Sequence, residues 1–428
     1  MKLKSVAPEV MKVFTTAQFK SPKVGAIKTD ITSAVLAVVG QAQEDELVKM
    51  LGARMSSQDQ EGYKNQAFWQ TVSARALGEL TSEKAVRPLI KVLLTPEKSP
   101  IANTALVALV KIGRPSIAAA ESLLRSEDAD LVAYAKQEAP LGKGKGHVGV
   151  AAQILGALGN GSSAKPLIAA IEQASDDAQT KAVIALTLTQ LPRSATTIAA
   201  FKSVFDEMKY DTETPAGPAK EAMANAAAEL FDPTLASHLV KATTDADSKK
   251  GPAANVDAAR VAALSTAIKL MDIEQVAEVE GLAKTKTSDS SGGPKTVGAT
   301  LEKELVQAKE LAKSCNGEVK CYLAALTNDE NQKREKQLIA IKAAYMVGAL
   351  GRESDRQQLL VALPKISNEA ARIAALKALL ALAPRGDAAA ADELTKLYVE
   401  AEQTKNEALM ASYRLFLQTA AQLRLRAQ

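Results

Sequence analysis

The sequence predicts an all-α fold, a right-handed α-solenoid of about nine or ten helix pairs, and three observations lead there. The 428 residues are 47% apolar but only 4% aromatic, so Ala and Leu carry the apolar fraction, a composition that suits closely packed helices rather than a large β-sandwich. One phrase recurs along the chain: a helix ending in small-Leu-Gly-x-Leu, a short turn, then an apolar helix often opened by Ala and Pro. Within a copy the spacing is helical, since Trp69, Val72, Ser73, Ala76, Leu77 and Leu80 fall on one face at intervals of three and four.

The copies follow in chain order. Ile31–Val39 pairs with Glu44–Leu51, Ala74–Leu80 with Ala85–Leu94, and Thr104–Ile112 with Ile117–Leu124. Ala151–Leu158 pairs with Ala164–Ile171, Ala182–Leu191 with Ile198–Phe205, Ala222–Leu230 with Leu235–Val240, and Val261–Leu270 with Val276–Leu282. Ala343–Leu350 with Gln357–Leu363 and Ala374–Leu382 with Ala390–Val399 complete the series. The long interval before Ala343 holds a degenerate copy at Leu301–Lys313 and Tyr322–Leu326. No pair can bury its own apolar stripe, so the pairs must stack into one continuous core. Gly78, Gly156 and Gly348 cost helix stability where they stand, which predicts a neighbouring backbone too close for a side chain. Pro88 and Pro166 sit near helix starts, where a missing N–H matters little.

This grammar resembles HEAT repeats, including the short variety of bilin lyases, with the closest likeness at Ala74–Leu94, Ala151–Ile171 and Ala343–Leu363. It departs at the N-terminal helix, at Lys209–Pro218 and around the cysteines. The segment CNGEVKCYLAAL followed by KAAYMVGALG is also similar to HEAT-repeat proteins of the bacterial cell envelope, some of them lipoproteins. That likeness implies a periplasmic or cell-envelope location, with the cytoplasm as the alternative. Three Ser/Gly/Pro-rich insertions, Leu141–Gly149, Asp245–Asn255 and Thr285–Val297, read as exposed loops. The last divides the chain into residues 1–284, a linking loop at 285–297, and residues 298–428. Val6–Phe19 and Asn406–Arg426 would cap the two ends, the latter through Leu409, Tyr413, Phe416, Leu417, Ala420 and Leu423, with Arg424 and Arg426 at the negative end of its dipole.

The reactive residues are few. Two histidines, His147 and His238, and two cysteines, Cys315 and Cys321, lack the spacing of a zinc site, so no metal, cofactor or catalytic residue is expected. The glycines Gly144, Gly146 and Gly149 match G-x-G-x-x-G, but no strand precedes them and an exposed flexible linker is the reading. Cys315 and Cys321 flank an Asn-Gly turn signal that can bring them within disulfide reach. Reduced thiols in a cytosolic protein are the other reading, and the cell-envelope resemblance favours the bond. No apolar run is long enough to span a membrane, and no leader is visible, which leaves room for a removed leader carrying a lipid anchor.

Stacked repeats expose equivalent positions in rows. The rows through Glu79 and Arg75 give the contact set expected on a concave face: Arg75, Glu79, Lys111, Gln153, Gln190, Asn225, Lys269, Tyr345 and Lys377. Its charges are mixed, as is the whole chain with 53 Lys+Arg against 49 Asp+Glu, which favours a protein or peptide partner over nucleic acid. The expected function is a non-enzymatic scaffold or adaptor. The alternatives are a HEAT-like enzyme, of DNA glycosylase or cofactor lyase type, and a nucleic-acid-binding solenoid. Trp69 is expected in the core, and His238 at the surface or satisfied among apolar neighbours.

Overall fold

The structure, a computed structural model, describes residues 7–16, 24–56, 62–138, 146–174, 177–208, 216–244, 253–287, 296–403 and 407–427. Gly144 and parts of all three insertions lie outside them. The described residues form 24 α-helices and short 3₁₀ turns, with no strand beyond an isolated bridge between Lys286 and Thr296. The chain divides into two compact units, 1–158 and 159–428.

The first unit holds α1 (Ala7–Thr16), α2 (Val24–Val38), α3 (Glu44–Gly52), α4 (Gly62–Glu79), α5 (Val86–Leu94), α6 (Ser99–Ile112), α7 (Arg114–Leu124), α8 (Ala129–Glu138) and α9 (Gly146–Leu158). The second begins with α10 (Ala164–Gln173), α11 (Ala178–Leu188), α12 (Ala195–Glu207), α13 (Ala216–Ala226), α14 (Thr234–Thr244), α15 (Ala253–Leu270) and α16 (Val276–Ala283). It continues with α17 (Glu302–Cys315), α18 (Val319–Thr327), α19 (Asp329–Gln332), α20 (Gln337–Leu350), α21 (Arg356–Ala362), α22 (Glu369–Leu382), α23 (Ala388–Gln403) and α24 (Glu407–Ala427).

Each pair read from the sequence corresponds to two helices, and within each unit the pairs stack. In the first, α2 touches α4, α4 touches α6 and α6 touches α9, while α3 lies on α5. In the second, contacts run from α11 to α13, α15, α20, α22 and α24 in turn, and second helices meet as α10 with α12 and α14 with α16. Of the expected core face of α4, Trp69, Val72, Ser73, Ala76 and Leu77 are buried, and Leu80, just past the helix end, is half-buried. Helix starts are fixed locally. Asp177 accepts the Thr180 N–H, Ser194 and Thr197 form a reciprocal box, and Asn368 accepts the Ala371 N–H.

Two glycines act as expected. A Cβ on Gly78 would stand 2.8 Å from the Ala108 Cα, so α4 and α6 touch backbone to side of backbone. A Cβ on Gly348 would enter the Phe231 ring and lie 3.0 Å from the Ala378 Cβ. Gly78→Ala would gain about 1 kcal/mol of helix propensity but force overpacking that costs about 1–3 kcal/mol. Chemical denaturation is therefore expected to show a net loss, the opposite sign from the same change at an exposed helical glycine.

Other elements differ from the sequence reading. Helix α8 was not foreseen. It fills part of the interval before α9 and packs on α5 through Leu131, with the Tyr134 hydroxyl 2.8 Å from Thr95 Oγ1 and Arg87 paired to Asp128 at 2.7 Å. Gly146, His147 and Gly149 do not belong to an exposed linker. They form the first turns of α9, where His147 is buried with Nε2 2.8 Å from Ser126 Oγ. Burial, with Lys136 nearby, holds its pKa below the usual histidine value.

Cys315 and Cys321 are joined, with Cα atoms 5.3 Å apart. Asn316 ends α17 in the left-handed region and, with Gly317, turns the chain into α18. This brace stands in the degenerate copy, where α17 and α18 supply few partners for each other. Opening it, by reductant or by the double change Cys315→Ser and Cys321→Ser, is expected to lower stability by about 2 kcal/mol in equilibrium denaturation.

Candidate functional site: the first-helix rows and a cavity in the second unit

Of the residues predicted from helical phase to form rows, the structure brings some together, and differently in the two units. In the first unit Glu79 and Gln153 are exposed, and Arg75 and Lys111 are half-buried. Lys111 Nζ reaches Glu79 Oε1 at 2.5 Å, so equivalent positions on α4 and α6 stand side by side. Of the three charged residues here, Glu79 and Lys111 pair with each other.

In the second unit the row is occupied by its own chain. Lys377 on α22 forms an ion pair with Glu229, which follows α13, although α15 and α20 intervene in the stack. Tyr345, expected as a contact residue, is a core residue instead. It is 9% exposed, its ring lies 5.4 Å from that of Phe231, and burial pushes its hydroxyl pKa up. Lys269 sits 6.0 Å from the Tyr345 ring centroid, with its pKa lowered by burial and then by the charge of Lys377. Gln190 and Asn225 remain exposed. The reason for the closure is packing: Gly348 stands so close to both Phe231 and Ala378 that a Cβ there would meet each of them, and long side chains bridge across these closely packed elements.

A second pattern was not visible in the sequence. Nearly every buried cation donates to the carbonyls at a helix end, where four acceptors lack intrahelical partners. Lys220 Nζ reaches Met208 O at 2.9 Å, Arg260 Nε reaches Thr243 O at 2.9 Å, and Arg372 Nη2 reaches Ile366 O at 2.7 Å. In each case a first helix reaches back to the end of the second helix before it. Lys98 likewise meets Leu51 O at 2.6 Å, and burial pushes its pKa down to about 8. Lys342, fully buried on α20, meets Met271 O at 2.5 Å and Ile268 O at 3.2 Å, with its pKa pushed down to about 7. The sequence shows only isolated basic residues in apolar helices, because the acceptors are main-chain groups that any residue supplies.

Two further arginines extend this device across the second unit. Arg193 Nη1 donates to Phe231 O and to Ala349 O at 3.2 Å. Arg426 Nε donates to Gly159 O at 2.6 Å, and its Nη1 to Leu380 O at 2.9 Å. Between them lies a cavity of about 340 Å³. Its walls carry Gln190, Arg193, Glu229, Lys377 and Arg426, and its aliphatic side includes Ile373, Leu376, Leu380 and Leu415. That size falls within the range of small-ligand pockets.

His238 is paired at the surface, its Nε2 3.0 Å from Asp206 Oδ1, and the ring stands edge-on to Phe205. No helix among the described residues is long and apolar enough to cross a membrane. Comparison of the chain with protein-family models and with curated proteins returns no match.

Proposed function

We propose that the chain is a non-enzymatic helical-repeat scaffold of the HEAT type that binds a protein or peptide segment along the first unit's row of Arg75, Glu79, Lys111 and Gln153. The observation that supports this reading is the Glu79–Lys111 pair, which aligns two successive first helices and exposes alternating charge along them. A polypeptide can match alternating charge and amide groups side by side, whereas a phosphate backbone needs a concentrated positive face. The second unit's row contributes less, because Lys377, Lys269 and Tyr345 are engaged within it.

The test is affinity capture from the native source with the wild type and with a variant carrying Arg75→Ala, Glu79→Ala, Lys111→Ala and Gln153→Ala. A protein retained by the wild type and lost with the variant supports the reading. A partner held equally by both removes this face from consideration, and capture of nucleic acid that weakens steeply with salt replaces the reading with the nucleic-acid alternative.

We further propose the periplasm or cell envelope as the protein's location, a reading that the Cys315–Cys321 bond supports because such bonds persist in oxidising compartments. Mass measurement of the native protein with thiols blocked at lysis tests it. Two blocked thiols would move the protein to the cytoplasm.

A further inference from the structure

We propose that the cavity of the second unit is a binding site for a carboxylate carried on an aliphatic body. It is built from residues of the second unit alone, so it stands or falls independently of the partner-binding reading.

Charge sets the sign of the ligand. Three cations, Arg193, Lys377 and Arg426, line the cavity against one carboxylate, Glu229, which Lys377 neutralises by pairing with it. The two arginines are held by one edge. Arg193 uses Nη1 for Phe231 O and Ala349 O, and its Nε and Nη2 meet no protein acceptor among the described residues. Arg426 uses Nε for Gly159 O and Nη1 for Leu380 O, leaving Nη2 without such a partner. A guanidinium anchored on carbonyls is pre-oriented, and its remaining N–H groups are suited to an anionic oxygen pair. Arg193 and Gln190 are exposed, which gives the anion an entrance from solvent.

The remaining walls set the ligand's body. Ile373, Leu376, Leu380 and Leu415 form a side that a hydrated phosphate would leave unused, whereas an aliphatic chain would cover it. Gln418 and Thr419 on α24 add polar groups beside that side. The volume corresponds to roughly ten waters, enough for a short acyl chain or for one apolar residue at the end of a peptide. The shared chemistry of those two sources is a terminal carboxylate next to aliphatic carbon.

The experiment is calorimetric titration of the full chain with sodium octanoate, octylammonium chloride, and a short alanine peptide ending in leucine, with its C-terminus free or amidated. The expected result is saturable binding of octanoate, of the free-acid peptide, or of both, with octylammonium and the amidated peptide at least about tenfold weaker. Binding of octanoate alone assigns the source to free aliphatic acids, and binding of the peptide alone assigns it to polypeptide ends. Arg193→Gln should weaken the successful acid at least about tenfold, since one charge-assisted contact is lost. Ala381→Trp, which fills the cavity and keeps both arginines, should abolish it in a chain whose helical circular dichroism is unchanged. No binding of either acid, equal binding of octylammonium, or full binding to a folded Ala381→Trp chain would each overturn the assignment.

Discussion

Raising the pH from 7 to about 10 is expected to stabilise the folded chain by an amount on the order of 4 kcal/mol, read from urea unfolding at each pH. The source is Lys342, whose amine is fully buried on α20 and whose pKa burial pushes from 10.5 down to about 7, with Asp272 opposing the shift. A lysine with a depressed folded pKa binds its proton more weakly in the native state than in the unfolded chain. Between about 7 and 10.5 the unfolded state therefore carries more protons, and stability rises with pH across that window. Below about 7 both states are protonated and the penalty is complete. Lys98, pushed down to about 8, acts in the same direction in the first unit. The rise ends near pH 10, because Tyr322 and Tyr345 have hydroxyl pKa values raised by burial, and their stabilising contribution is lost as pH climbs beyond the unfolded tyrosine value. Lys342→Met, of similar length and without an ionisable group, should flatten most of the rise and leave a shallower one above about 8. A wild-type stability that is level from pH 7 to 10 would mean that the Lys342 amine is charged in the native state.

Arg426→Ala is expected to destabilise the second unit by about 3 kcal/mol, and Arg424→Ala by less than about 0.5 kcal/mol. Two residues separate nothing in sequence terms: both arginines lie in the last turn of α24, and both suit the negative end of its dipole. Their surroundings differ. Arg424 pairs with Asp392 at 2.6 Å, with half of its own side chain and most of its partner's open to solvent, where screening removes most of the gain. Arg426 is buried enough that its pKa falls to about 10, and it bonds to the carbonyls of Gly159 and Leu380. Removing it strands those acceptors and releases the last helix from the first residues of the unit. Hydrogen exchange should show the loss as faster exchange in α24 and around residues 159–163, while the Arg424 variant should exchange like the wild type.

How much of this could be read beforehand differs from element to element. The copy at Ala74–Leu94 was legible because its apolar stripe has helical period and its Gly78 stands where only a close neighbour justifies a glycine; α4, α5 and the contact with Ala108 follow. The degenerate copy was legible from shorter stripes, and α17 and α18 stand there with the disulfide between them. Helix α8 was not, since its Ala129–Glu138 segment carries only Leu131 and Ala135 as buried residues and shows no recurring phrase. The place of His147 is not legible in the sequence because the glycines around it resemble a loop, while the packing of α9 against α6 and α7 decides its conformation.

The row residues show the same division. Phase placed Glu79 beside Lys111, because equivalent positions on stacked helices must align. Phase could not tell that Tyr345 turns into the core, since a helix position between the stripe and the exposed side is settled by what stands opposite, here Phe231.

The sequence by itself determined the all-helical class and the presence of the recurring pairs, both consequences of local periodicity and small residues, but not where the first helices begin, as α4 and α20 start well before the recurring phrase. The tertiary structure alone decided which first-helix row stays open and which closes on itself. It also decided that buried lysines and arginines serve as caps for distant helix ends, and that a cavity forms between Arg193 and Arg426. These features depend on main-chain carbonyls brought together over long stretches of chain, such as Gly159 with Arg426, and a carbonyl carries no mark in the sequence.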